Sequence, residues 1–224
     1  MAKSKVDIEP GSFDSIGSIS FKAEKPALLM SGCDSASEMI GQIMIGVQVF
    51  GFTKGQFSFS DVLEHVLNEI GPAELMLSTW TASQQGLERA FDFLKNSKIT
   101  GVKFLIDRGF KQFKGKPYDY LMETFGQDCI RTSRIHAKFA VLRNYKYNVV
   151  IRTSMNLNKN LRLENFEITE NLEFAEFFQN FFDEAFSKIR VEENFQLSSS
   201  QKLDTIFSDN QVSNASAKKK RYKF

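Results

Sequence analysis

Four side chains suited to handling a phosphate fall within one stretch, RIHAKFAVLRNYKYNVVIRTSMN at 134–156. His136 and Lys138 stand one residue apart, and so do Ser154 and Asn156. A neutral imidazole can attack phosphorus and carry the phosphoryl group as phosphohistidine. An ammonium and a carboxamide can hold the nonbridging oxygens, while a hydroxyl steers a neighbour or the phosphate itself. This is phosphoryl transfer that calls for no metal and no cofactor, because lysine supplies the positive charge. The nucleophilic ring also needs an acceptor for its other N–H. The run ENFEI offers two carboxylates, Glu164 and Glu167.

These groups need a scaffold that gathers them, and the residues between them provide one. The apolar runs 136–143 and 147–153 flank the turn-forming stretch Asn144–Lys146 and predict a β-hairpin. With Arg143 facing Tyr147, His136 faces Ser154 and Lys138 faces Arg152. Alternation along a strand then points His136 and Lys138 to one face. The start of one strand lies beside the end of the other, so the four groups meet at one rim.

Upstream, the pattern alternates between strand and helix periods. Strands are expected at 45–50, 74–80 and 102–107, and helices at 61–70, 84–96 and 118–125. A strand at 164–170 and a helix at about 172–189 follow the hairpin. The apolar run 39–52 reads as a buried strand. This order predicts an α/β fold, a mixed β-sheet flanked by helices on both faces. Residues 1–38 read as a partly ordered extension that forms a short hairpin or covers the core. Residues 39–190 read as the catalytic domain, and 191–224 as a disordered, polar tail with a basic end. Open α/β sheets bind ligands at the carboxyl ends of their strands. That rim collects Lys54, Trp80, Arg108, Lys111 and Lys114 as substrate-binding candidates, with Lys159 and Arg162 from the stretch after the SxN pair. Phe110, Phe113 and Tyr118 alternate with the cations there, a mixture suited to phosphates and bases.

Composition narrows the partners. Net charge is +2 over 224 residues, but the final seven, KKKRYKF, hold five positive charges and leave −3 for the rest. Nucleic-acid binding therefore rests on a local patch, the tail, or both. The two cysteines, Cys33 and Cys129, lie far apart with no metal-ligand spacing, and read as reduced thiols of a cytoplasmic protein. No apolar run is long enough to span a bilayer, so no membrane association is expected. The second histidine, His65, has no lysine two residues on and lies off the apolar stripe of its helix, so it is expected to be exposed.

His136-x-Lys138, Thr153-Ser154-x-Asn156 and Asn165-x-Glu167, in that order on three successive strands, resemble the HKD motif of the phospholipase D superfamily. The likeness covers roughly 40–190, and the wording IHAKFAV…IRTSMNLN…ENFEI is similar to phage-encoded members. The resemblance implies that His136 is the nucleophile, that Lys138 and Asn156 bind phosphate, that Ser154 supports the site and that Glu167 orients His136. The family's usual Asp, five residues after the lysine, is Arg143 here, and the usual Gly before the serine is Thr153. The family's chemistry needs two histidines, so a chain with one motif implies a homodimer sharing one active site. Single-motif bacterial members are nucleases. The resemblance thus implies a metal-independent phosphodiesterase or endonuclease acting on DNA in a bacterial host, phage-encoded in origin. Its rivals are an inactive DNA- or protein-binding module of the same fold, to which Arg143 points, and a lipid-acting phospholipase D.

Overall fold

Local capping fixes where the helices begin, and apolar spacing fixes which face they bury. The computed structural model describes residues 33–110, 115–159 and 161–189 in full, together with the strand backbones 17–21 and 28–30. The strands are β1 (Gly17–Phe21), β2 (Leu28–Met30), β3 (Gln48–Thr53), β4 (Ala73–Thr79), β5 (Ile99–Asp107), β6 (Ile130–Ser133), β7 (Lys138–Arg143), β8 (Asn148–Thr153) and β9 (Glu164–Glu170). The helices are α1 (Ala36–Ile40), α2 (Phe59–Ile70), α3 (Gln84–Lys95), α4 (Gly115–Phe125) and α5 (Leu172–Lys188). Helix α2 opens on a capping box. Asp61 Oδ2 accepts from the Ser58 amide at 2.6 Å, and Ser58 Oγ accepts from the Asp61 amide at 3.4 Å. Its stripe of Phe59, Val62, Leu63, Val66, Leu67 and Ile70 is buried. Ser83 and Asn171 cap α3 and α5 more simply, their side-chain oxygens accepting from the Gly86 and Phe174 amides.

The strands form one sheet in the order β2-β1-β3-β9-β8-β7-β4-β5-β6. The pairs β4–β5 and β5–β6 are parallel, and every other pair is antiparallel. It follows that β3, β4, β5, β6 and β8 all end at one edge, where β7 and β9 begin. Helices α1 to α4 contribute to the larger core on one face. Helix α5 covers the other face, its Ala175 and Phe182 packing with Met76, Leu105, Phe139, Val141 and Val150. The expected mixed sheet with helices on both faces is what the chain forms.

Three expectations on the course of the chain need correction. The run 39–52 is not one strand. Met39 and Ile40 finish α1, Gly41 leaves it at φ 68°, and only Gln48–Thr53 pairs as β3. Gly41 is the reason, since a positive φ ends the helix at a residue without a Cβ. Strand β6 was not anticipated. Its four residues are too few for a visible alternation, and it is held by parallel pairing to β5.

The hairpin register also differs by one residue. Arg143 pairs with Asn148 and Lys138 with Thr153. The turn has two residues, Tyr145 and Lys146. The Asn144 amide donates to Tyr147 O at 3.0 Å, and Asn144 Oδ1 accepts from the Lys146 and Tyr147 amides at 3.0 and 2.8 Å. Asn144 Nδ2 anchors this turn by donating to the Ile70 and Pro72 carbonyls at 2.9 and 3.2 Å. Local side-chain bonding by one asparagine therefore sets the register of the whole hairpin.

Candidate active site at the carboxyl rim of the sheet

The rim where five strands end carries His136 just before β7, Lys138 as its first residue, Ser154 and Asn156 just after β8, and Glu164 opening β9. Strand alternation turns Lys138, Thr153 and Glu164 toward the α1–α4 face, the side of Ala140, Ile151 and Phe166. Lys138 is 9% exposed, unusual for a lysine. Its Nζ donates to the His136 carbonyl at 2.7 Å and lies 3.1 Å from Nδ1 and 3.4 Å from Nε2 of the His136 ring. Burial pushes the Lys138 ammonium below the ordinary lysine range, against the opposing pull of the Glu164 carboxylate. His136 itself is exposed.

The backbone around these groups is laced to the sheet by hydroxyls. Ser78 Oγ donates to the Ala137 carbonyl at 3.0 Å, and Asp107 Oδ2 accepts from the Ile135 amide at 3.0 Å, which fixes the approach to His136. Thr153 Oγ1 donates to the Asn165 carbonyl at 2.7 Å and accepts from the Met155 amide at 3.0 Å. The loop that bears Asn156 is held further on. Leu157 bridges to Ala82 in parallel, its carbonyl accepts from Ser83 at 3.0 Å, and its amide donates to the Thr81 carbonyl at 3.3 Å. Gly86 makes this possible, because a Cβ there would lie 2.3 Å from the Leu157 oxygen. The side-chain oxygens Asn156 Oδ1 and Asn158 Oδ1 are buried without a hydrogen-bond partner.

The carboxylate at this site is Glu164. Ser154 Oγ donates to Glu164 Oε2 and accepts from the Asn165 amide at 3.0 Å. Glu167, the residue that the resemblance assigns to orienting His136, is not brought to it. Three positions along the strand reverse the face, and Glu167 pairs instead with Arg152, whose guanidinium lies over Phe174 of α5. The ENFEI run offered both carboxylates, and the pleat chooses between them.

Arg143, at the position of the family's usual Asp, is at the far end of β7, about 17 Å along the strand from Lys138. It donates to Asn148 Oδ1 at 2.9 Å and to Gln179 Oε1 of α5, fastening the hairpin to that helix. It has no contact with the site. His65, expected to be exposed, is half-buried, with Nε2 2.7 Å from the Gly41 carbonyl.

The substrate-binding candidates divide. Lys54 follows Thr53, the partner of Glu164 across β3 and β9, so it borders the site. Trp80 follows β4, is 42% exposed, and its ring centroid lies 5.3 Å from that of His136. Arg108 follows β5 at the same rim, its amide donating to the Ser133 carbonyl at 2.7 Å. Lys159 and Arg162 are exposed in the connection from β8 to β9. Lys111 and Lys114 lie outside the described residues, as do Phe113 and the tail. Phe110 and Tyr118 do not face the rim. Each is 2% exposed and they pack edge to face at 6.2 Å, because a helix start beneath the rim needs apolar anchors. Arg134, which sequence reasoning passed over, is exposed beside His136 at the end of β6. Among the described residues, no three His, Cys, Asp or Glu side chains gather as metal ligands, and no helix is long and apolar enough to cross a membrane.

No family model and no curated protein matches the sequence. Solved structures with a similar course of chain include the phospholipase D family member Nuc from Salmonella typhimurium, at 19% identity and TM-score 0.44 over 64% of this chain and 95% of that one. NucT from Helicobacter pylori is similar at 12% identity and TM-score 0.41 over 62% of this chain and 98% of its own. Polyphosphate kinase from Porphyromonas gingivalis is similar at 14% identity and TM-score 0.47 over 75% of this chain, which spans 31% of the kinase.

Proposed function

We propose that the protein is a metal-independent phosphodiesterase of the phospholipase D type that cleaves DNA. The observation that carries this reading is the buried Lys138 ammonium set against the His136 ring at an open rim. A cation placed there at the cost of burial is suited to a phosphate more than to the fold. A half-turn of the Asn156 amide would exchange its unpaired, buried oxygen for Nδ2, a donor for a nonbridging oxygen. The half-buried cations Lys54 and Arg108 and the exposed Arg134, Lys159 and Arg162 would follow the backbone on either side of the bound phosphate.

One ring nitrogen of His136 attacks phosphorus, the P–O bond to the leaving group breaks, and phosphohistidine forms. The leaving oxygen takes a proton from a second acid, and water then displaces the histidine. A chain with one such histidine obtains that acid from His136 of a second copy, so the working form is a homodimer with a shared centre. Lys138 and Asn156 stabilise the charge on phosphorus through both steps. The Ser154–Glu164 pair positions the end of β8 beside them.

The test is cleavage of single-stranded and plasmid DNA in excess EDTA, with His136→Ala alongside. Turnover that survives the chelator and disappears in the variant supports the reading. A covalent phospho-enzyme that is labile to acid and absent from His136→Ala supports the intermediate. Activity that vanishes in EDTA and returns with Mg²⁺ overturns it.

A further inference from the structure

Trp80 is the chain's sole tryptophan, and it stands 42% exposed at the rim. Its ring centroid lies 5.3 Å from that of His136, with the planes tilted by 47°. The two rings are therefore neighbours without being stacked face to face, which leaves indole surface open beside the reacting group. Phe110 and Tyr118, the described aromatics of the neighbouring 108–118 run, are 2% exposed and closed to a ligand. Indole surface left in water gains nothing for the fold, so its position calls for another account.

We propose that Trp80 is the platform on which the unpaired base next to the scissile phosphate stacks, so that the site selects single-stranded over duplex DNA. This rests on the phosphodiesterase reading above and deepens it. Trp80 follows β4, which lies between β7, with Lys138, and β5, which leads to Arg108. Neighbouring strands are about 4.8 Å apart, so Arg108 is rooted about 10 Å from the strand of Lys138, with Trp80 between them. A phosphate on Lys138, a base on Trp80 and the next phosphate on Arg108 thus follow one line across the rim. Stacking on an aromatic ring tolerates any base, since every base has a π-face. In a duplex both faces of a base are already covered, and the site could engage it only after unstacking.

The sole tryptophan is also its own reporter. Full-length His136→Ala is titrated with a single-stranded oligodeoxynucleotide, an abasic oligonucleotide of the same length and a blunt duplex. Indole emission is expected to change with the first and to stay level with the other two. In the wild-type background, the ratio of single-strand to duplex cleavage should fall about 5- to 150-fold in Trp80→Ala and recover in Trp80→Tyr. Emission that ignores the base, or an unchanged ratio in Trp80→Ala, overturns the proposal even where the wild type cleaves DNA. Base-dependent emission in a protein that hydrolyses no phosphodiester would support the platform and overturn the enzyme.

Discussion

Gly86 is the residue through which a single methyl group should reach the site without touching it. In Gly86→Ala the new Cβ would lie 2.3 Å from the Leu157 oxygen and 3.2 Å from both its carbonyl carbon and its Cγ. Ordinary contact begins at about 3.4 Å, so the Leu157 peptide must retreat by about 1 Å or α3 must lift. Retreat strains three bonds: Ser83 N–H to the Leu157 oxygen at 3.0 Å, and Leu157 N–H to the Thr81 oxygen at 3.3 Å and to Thr79 Oγ1 at 3.4 Å. Overpacking of this kind costs about 1–3 kcal/mol. Urea denaturation should show that loss with an unchanged slope. Asn156 is the residue before Leu157 and moves with it, and a displacement of about 1 Å in a positioning group can lower turnover about 100-fold. Gly101→Ala is the control, because nothing lies within 4 Å of a Cβ there and its φ is ordinary. It should stay within about 0.5 kcal/mol of wild type. Wild-type stability and turnover in Gly86→Ala would refute the coupling of α3 to the Asn156 loop.

Glu164→Gln should lower turnover at least about tenfold, whereas Glu167→Gln should cost only the exposed Arg152 pair, about 0–1 kcal/mol, with turnover kept; the reverse order in a steady-state assay would restore Glu167 to the site. Lys138→Met should abolish cleavage and raise Tm by about 2–4 °C in calorimetry, since it removes a buried charge. Because burial lowers the Lys138 pKa despite Glu164, the folded protein sheds that proton before the unfolded chain does. Wild-type stability therefore gains as pH rises below the ordinary lysine value, and its deficit against Lys138→Met should narrow there. For Asp61, burial raises the carboxyl pKa, but the Ser58 hydroxyl and amide and the Arg89 guanidinium overcome it and hold the value low. Asp61→Ala should cost about 1 kcal/mol at neutral pH, and the gap to wild type should close as acid protonates the folded carboxylate. Equal mixtures of wild type and His136→Ala under subunit exchange should keep about one quarter of the activity if the centre is shared, against about one half for independent centres.

The residue types and their spacing already brought four candidate phosphate-handling side chains to one rim. His136, Lys138, Ser154 and Asn156 were identifiable because two apolar runs of matched length had to pair, which brings the ends of a hairpin together in any nearby register. The alternation of strand and helix periods likewise fixed a mixed sheet with helices on both faces, since apolar stripes must be buried. The register was not legible. It hangs on Asn144, whose amide bonds to the distant carbonyls of Ile70 and Pro72 as well as to its own turn. Sequence patterns also could not choose between Glu164 and Glu167, three residues apart and equally acidic. The pleat puts them on opposite faces, and only the pairing of β9 with both β3 and β8 states which face holds Lys138. Strand β6 and the burial of Phe110 and Tyr118 belong to the same class. Their places depend on what packs over them from elsewhere in the chain, and local composition carries no record of that.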